Sequence, residues 1–122
     1  MSGNEFLADT NSLIYILEGK SFMLPFLMNM KSLSIISEIE LRGYYQLSEE
    51  EDKIIKSLLN DLNIISVSFQ IKELAIKLKR KYKLKTLDSI IAATAIQQKL
   101  TLLTADKHFN KIDELDLILI EL

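Results

Sequence analysis

TLDSIIAATAIQQKLTLLTADKHF, residues 86–109, joins two apolar segments of different character, with one acid at the start of the first and another just after the second. Between Lys85 and Lys99 the only ionisable group is Asp88; the remainder is Ile, Ala, Leu, Ser, Thr and Gln. A helix so apolar on every side implies burial. "LTLLTA" (100–105) then reads as a strand, apolar without alternation, and Asp106 follows it directly. Continuous apolar strands separated by helices argue a parallel sheet covered on both faces.

The same alternation extends in both directions. "EFLA" (5–8) predicts a buried strand, and "TNSLIYILEG" a helix spaced by Leu13, Ile14, Ile16 and Leu17 that closes near Gly19. "FMLPFLMNM" (22–30) predicts one or two helical turns, with Pro25 tolerable only near a helix start. "LSII" (33–36) predicts a second strand, followed by helices in "SEIELRGYYQL" and "SEEEDKIIKSLLNDL" with a break at Gly43 to Leu47. "NIISVS" (63–68) predicts a third strand, then a helix striped by Ile71, Leu74, Ala75, Leu78 and Tyr82. "LDLILIEL" (115–122) predicts a fifth strand at the sheet edge.

At 122 residues and 48% hydrophobic content, the chain predicts a single domain over 1–122. It has no cysteine, so a disulfide framework, a thiolate metal site and a cysteine nucleophile are excluded. That composition suits a reducing cytoplasm, and no signal peptide or membrane span is expected. The net charge of −2 conceals an asymmetry. Residues 1–61 carry 5 Lys/Arg against 10 Asp/Glu, and residues 62–122 carry 10 against 7. A basic stripe can therefore accompany an acidic cluster, and overall acidity does not exclude nucleic acid.

Ligands of parallel sheets bind beyond the carboxyl ends of the strands. Asp9 and Asp106 each follow a strand, so both belong on one rim. Asp9 alone also reads as a helix cap. Glu40 fits a capping box in "SEIE" (37–40), as "SEEE" (48–51) does, with Glu38 rotated about 200° away on the helix. Asp88 fits a helix dipole with Thr86 as the cap, but a buried unpaired carboxylate needs a cation, a proton or several donors. Asp106 fits a turn, and His108, the only histidine, a surface turn. Together the four acids would repel one another unless a divalent cation neutralised them. Carboxylate and water ligands suit Mg²⁺ or Mn²⁺ better than zinc.

"ADTNSLIYIL", "SIISEIEL", "TLDSIIAATAI" and "LLTADKHF", in this order, resemble the PIN-domain ribonucleases, most of all the small VapC-type toxins. The resemblance spans nearly the whole chain. It implies a three-layer α/β/α sandwich around a mainly parallel sheet of four to five strands, and an Mg²⁺- or Mn²⁺-dependent endoribonuclease. The family's acids fall on Asp9, Glu40, Asp88 and Asp106, with the metal on Asp9, Asp88 and Asp106. Such an ion acidifies water and offsets charge on a phosphodiester in transition, with Glu40 orienting the water or acting as general base. Asn11, Ser37 and Thr104 fall where polar residues support the acids. His108 stands where some relatives carry a further Asp, which places a second-metal ligand there in doubt. The resemblance further implies a homodimer and inhibition by an antitoxin whose peptide enters the active-site groove.

"KLKRKYKLK" (77–85) has six basic residues in nine and leads into Asp88. Lys79, Arg80, Lys83 and Lys85, with Arg42, are candidate RNA contacts; the alternative is a solvated helix face. Tyr82 reads as core, whereas Tyr44 and Tyr45 read as stacking platforms. Phe22, Phe26, Met28 and Met30 form either a partner surface or core packing. Two rivals fail at named positions. A haloacid-dehalogenase-like phosphatase needs an acid where Asn11 stands, and a receiver domain needs an aspartate after "NIISVS". A PIN-like module that binds RNA or protein without cutting stays open.

Overall fold

Parallel strands require each connection to run back over a face of the sheet, and this chain places helical structure after each of its first four strands. In the computed structural model, which describes residues 5–122, β1 (Phe6–Ala8) leads into α1 (Thr10–Leu17) and a 3₁₀ segment, Ser21–Asn29. β2 (Met30–Ser34) is followed by α2 (Ile35–Arg42) and α3 (Glu49–Leu59), and β3 (Asn63–Ile65) by α4 (Phe69–Tyr82) and α5 (Thr86–Gln97). β4 (Thr101–Thr104), a 3₁₀ turn at Lys107–Lys111 and β5 (Leu117–Leu119) complete the chain. Residues 1–4 of the expected 1–122 domain lie outside the described residues.

The strands run in the order β3-β2-β1-β4-β5, and each neighbouring pair is parallel. Alternation along β1 sends its side chains to opposite layers. Leu7 joins Leu102 and the apolar faces of α4 and α5, including Ile71, Leu78, Ile91 and Ala92. Ala8 faces the other way, with Leu13 of α1, Leu41 of α2 and Ile55 and Leu59 of α3. Phe6, Met23 of the first 3₁₀ segment, Leu103 and Ile120 close a third cluster. A sheet buried on both faces between helical layers is the α/β/α sandwich expected, with five strands.

Several local expectations shift. β2 stops at Ser34, not Ile36, because the Ser34 hydroxyl accepts the Ile36 N–H and caps α2 two residues early. Ser37 is therefore a buried residue inside α2, and "SEIE" is not a capping box. The reciprocal box forms at Ser48 and Glu51, which begins α3. β3 is short because Ser68 leaves the strand to cap α4 at the Ile71 N–H. Lys85, without a side-chain cap, precedes α5 in place of Thr86. Pro25 sits inside a 3₁₀ segment, not at an α-helix start. Among the described residues, no helix is long and apolar enough to cross a membrane.

The chain winds one way from β1 to β2 and β3, then crosses to β4 and β5 on the opposite side. The sheet's switch point thus lies between β1 and β4, where the two strands diverge from each other's connections and open a crevice.

Candidate active site

Beyond the carboxyl ends of β1 and β4, a cleft of about 420 Å³ is lined by Asp9, Glu40, Asp88 and Asp106, with Thr10, Asn11, Lys85 and Leu87 on its walls. Four segments far apart in sequence therefore deliver their acids to one place. Of the residues singled out from sequence, the four acids, Asn11 and Lys85 line the cleft. Ser37 and Thr104 stand behind it, fully buried.

Each acid is held differently. Asp9 is buried and its two oxygens divide their tasks: Oδ1 accepts the Ser12 N–H at 2.8 Å, and Oδ2 accepts the Thr104 hydroxyl. It is both cap and cleft wall, so the two sequence readings coexist. Thr104 in turn accepts the Asp106 N–H at 3.0 Å, which couples the ends of β1 and β4 through one buried oxygen. Asp106 Oδ1 accepts from the backbone N–H of His108 at 2.9 Å and contacts His108 Nδ1 at 2.8 Å. The lone histidine is thus a surface residue, 82% exposed, that steers a cleft acid.

Glu40 lies in the second turn of α2, so its orientation owes nothing to capping. Thr10 Oγ1 stands 2.7 Å from Glu40 Oε1 and 2.9 Å from Ser37 Oγ. A hydroxyl has one proton and an ionised carboxylate only accepts, so the Thr10 proton goes to Glu40 and a lone pair faces Ser37. Glu38, the competing acid, points elsewhere and pairs with Arg42 at 3.1 Å. Asp88 sits in the first turn of α5; desolvation raises its pKa, and the like charges of Asp106 and Glu40 raise it further against Lys85. Desolvation also acts to raise Asp106, but the backbone and ring hydrogen bonds of His108, with its charge and that of Lys85, outweigh it and hold the group below its ordinary value.

A hard divalent cation fits this donor set: every candidate ligand is a carboxylate oxygen, and Asp88 carries repulsion that a cation would relieve. Among the described residues, no three His, Cys, Asp or Glu side chains stand close enough to hold an ion by themselves.

The remaining candidates separate. Lys85 lines the cleft, while Lys79 donates to the Leu84 carbonyl at 3.0 Å and so closes α4. Arg80 and Lys83 are exposed, with Lys83 in the left-handed region at φ 57°. Arg42, the further RNA candidate, is exposed with its guanidinium paired to Asp52 and Glu38, which push its pKa upward. Tyr44 and Tyr45 are exposed with rings 5.3 Å apart, and Tyr82 is half-buried and donates to Glu114. Of the two readings of Met30, the core one fits its place as a buried β2 residue. Phe22 packs against Tyr15 and Phe26 against Phe6, both half-buried; only Met28 of that set is widely exposed.

Thr10 went unread in the sequence, although it lies between two residues that were singled out; Thr104, expected from the resemblance to support the acids, does so by donating to Asp9. A second hollow, an apolar trough of about 620 Å³, runs between α1, α2 and α3 past Ile14, Leu17, Leu41, Leu47 and Ile54. Thr10 and Glu40 line both hollows.

The chain is 36% identical over 76 residues to a protein named Ribonuclease VapC6 from Methanocaldococcus jannaschii. That match covers 62% of this chain and about half, 48%, of the relative's length. A toxin–antitoxin complex from Klebsiella pneumoniae superposes with a TM-score of 0.84 at 28% identity, covering 96% of this chain and 98% of that one. VapBC-1 from nontypeable Haemophilus influenzae superposes at 0.82 with 22% identity, covering 93% and 96%, a likeness of fold alone. The PIN-domain family model matches residues 6–115, from the first residue of β1 to the turn before β5. With that span and the cleft at the β1–β4 switch point, the chain belongs to the PIN-domain family.

Proposed function

We propose that this protein is a divalent-metal-dependent endoribonuclease, the toxin of a toxin–antitoxin pair. The carrying observation is the convergence of Asp9, Glu40, Asp88 and Asp106 on one cleft at the sheet's switch point in a PIN-domain chain.

Asp9, Asp88 and Asp106, completed by waters, would hold Mg²⁺ or Mn²⁺, which would supply charge neutralisation at the phosphate and a more acidic water. Asp9 is immobilised for this task by Ser12 and Thr104, and Asp106 by His108. Glu40, oriented by Thr10, accepts the proton of the attacking water as the bond to the leaving ribose oxygen breaks. Lys85 offsets a backbone phosphate beside the acids, and Arg80 and Lys83 extend the positive track upstream. No protein nucleophile is required, in keeping with the absence of cysteine.

The apolar trough supports an antitoxin partner better than the Met-rich 3₁₀ segment does. An amphipathic peptide laid along it would carry a basic side chain past Glu40 into the acid cleft, closing the site to RNA. Homodimerisation belongs to the same reading.

The test compares wild type with Asp88→Asn on structured RNAs in Mg²⁺, Mn²⁺ or EDTA. Wild type alone should cut, only with metal, and the variant should lose about a hundredfold or more in rate. Equal cutting by both, or cutting that survives EDTA, overturns the mechanism. RNA bound but left intact by wild type in either metal identifies a non-cutting module instead.

A further inference from the structure

Glu40 is the one cleft acid carried on a flexible, exposed side chain, and its only hydrogen bond among the described residues comes from Thr10. Asp9, Asp88 and Asp106 have short side chains fixed at strand or helix ends. A free glutamate disperses over several rotamers, and holding it in one costs conformational entropy. Thr10 is well placed to hold it. It opens α1 immediately after the cap at Asp9, whose bond to Ser12 fixes the first turn. The buried Ser37 hydroxyl backs it from α2 at 2.9 Å. The same pair forms the wall shared by the acid cleft and the apolar trough, so Glu40 has two hollows into which to turn.

We propose that Thr10 is a positioning residue that fixes the rotamer of Glu40 at this shared wall. The inference rests on the nuclease reading above and adds to it a tether made by a residue outside the four acids. Thr10 touches neither ion nor RNA in this role; it acts through Glu40. A valine at this position keeps the β-branched shape and removes the proton that the carboxylate accepts, whereas a serine keeps it.

The experiment uses the full chain with Thr10→Val, Thr10→Ser, Glu40→Gln and the Thr10→Val/Glu40→Gln pair. On RNA with Mn²⁺, Thr10→Val should lower kcat about tenfold to a hundredfold, the range of a hydrogen bond to a charged group, with KM unchanged. Thr10→Ser should stay within about threefold of wild type, and Thr10→Val should cost nothing further once Glu40 is Gln. Mn²⁺ affinity by calorimetry should be the same in Thr10→Val as in wild type. NMR couplings of the Glu40 side chain, read without RNA, should report one rotamer in wild type and several in Thr10→Val. An unchanged rotamer distribution overturns the inference whether or not the protein cuts RNA. So does equal loss in the Glu40→Gln background, or a weakened Mn²⁺ affinity, either of which assigns Thr10 a general structural role. A wild type with the single rotamer but no cutting overturns the nuclease reading and leaves the tether standing.

Discussion

Replacing Thr104 by Val should destabilise the metal-free protein by about 2–4 kcal/mol, although it creates no cavity. Thr104 is fully buried and Asp9 nearly so. The methyl that replaces the hydroxyl is close to it in size, so packing is kept and the loss is confined to two hydrogen bonds. The first is donated to the Asp9 carboxylate, and bonds to charged groups contribute about 1.5–3 kcal/mol. The second is accepted from the Asp106 N–H at 3.0 Å. Because Asp106 is part exposed, water can replace some of it, and about 0.5–1 kcal/mol is a fair share. With an unfolding entropy of about 2.1 cal/mol/K per residue over 122 residues, the melting temperature should fall by roughly 8–16 °C. Urea unfolding in EDTA should move its midpoint to lower denaturant with the slope unchanged. Thr94→Val is the control: its equally buried hydroxyl donates to the Ile90 carbonyl of its own helix, already a backbone acceptor, and should cost under about 1 kcal/mol. A Thr104→Val loss no greater than that of Thr94→Val would refute the relay between the β1 and β4 ends.

Asp88→Asn should stabilise the metal-free protein at neutral pH. A raised carboxyl pKa means that folding disfavours the ionised form, so the native state takes up a proton before the unfolded chain does as pH falls. The advantage of Asn over wild type should therefore be largest near pH 7 and vanish towards the ordinary value of 3.8; a pH-independent gap in urea midpoints sinks the assignment. Ser48→Ala should cost about 1 kcal/mol by removing the box that starts α3, measured by thermal unfolding, and no loss would place the box elsewhere. In filter binding of RNA to the metal-free protein, Lys85→Met should reduce the slope of log affinity against log salt by about one, whereas Arg42→Met should leave it unchanged because Asp52 and Glu38 already hold that guanidinium. Equal slopes for the two variants would refute the distinction.

Asp9, Asp88 and Asp106 were legible in the sequence because each stands where an apolar run stops or a helix starts, and those transitions are local; Glu40, in the second turn of α2, was reached through the resemblance of "SIISEIEL". That Asp9 and Asp106 share one rim followed from the alternation of buried strands with helices, whereas the adjacency of β1 and β4 was not legible, because alternation leaves strand order open. Boundaries were not legible where Ile fills both strand and helix equally well: Ile35 and Ile36 prolong the apolar run of β2, and only the Ser34 cap ends it. The same slip produced a capping box at Ser37 that does not exist. Thr10, Ser37 and Thr104 act through partners 27 to 95 residues away, so no window of sequence could reveal what they hold. Arg42 looked free because its partner Asp52 lies on the next helix, ten residues on.

The strand order has a consequence for anyone wishing to divide this molecule. A cut in the turn before β3 leaves β1 and β2 on one fragment, with Asp9 and Glu40, and β3, β4 and β5 on the other, with Asp88 and Asp106. In the sheet, β1 and β2 are clasped between β3 on one side and β4 on the other, so the second fragment has a gap two strands wide at its centre. Each half keeps most of one helical layer's cluster but only part of the sheet that the layers pack on, and neither has a complete acid set. Their opposite charge balances, negative on the first and positive on the second, favour finding each other. The fold is thus built like a two-key lock, and a pair of fragments fused to interacting partners would regain the cleft only on reassembly.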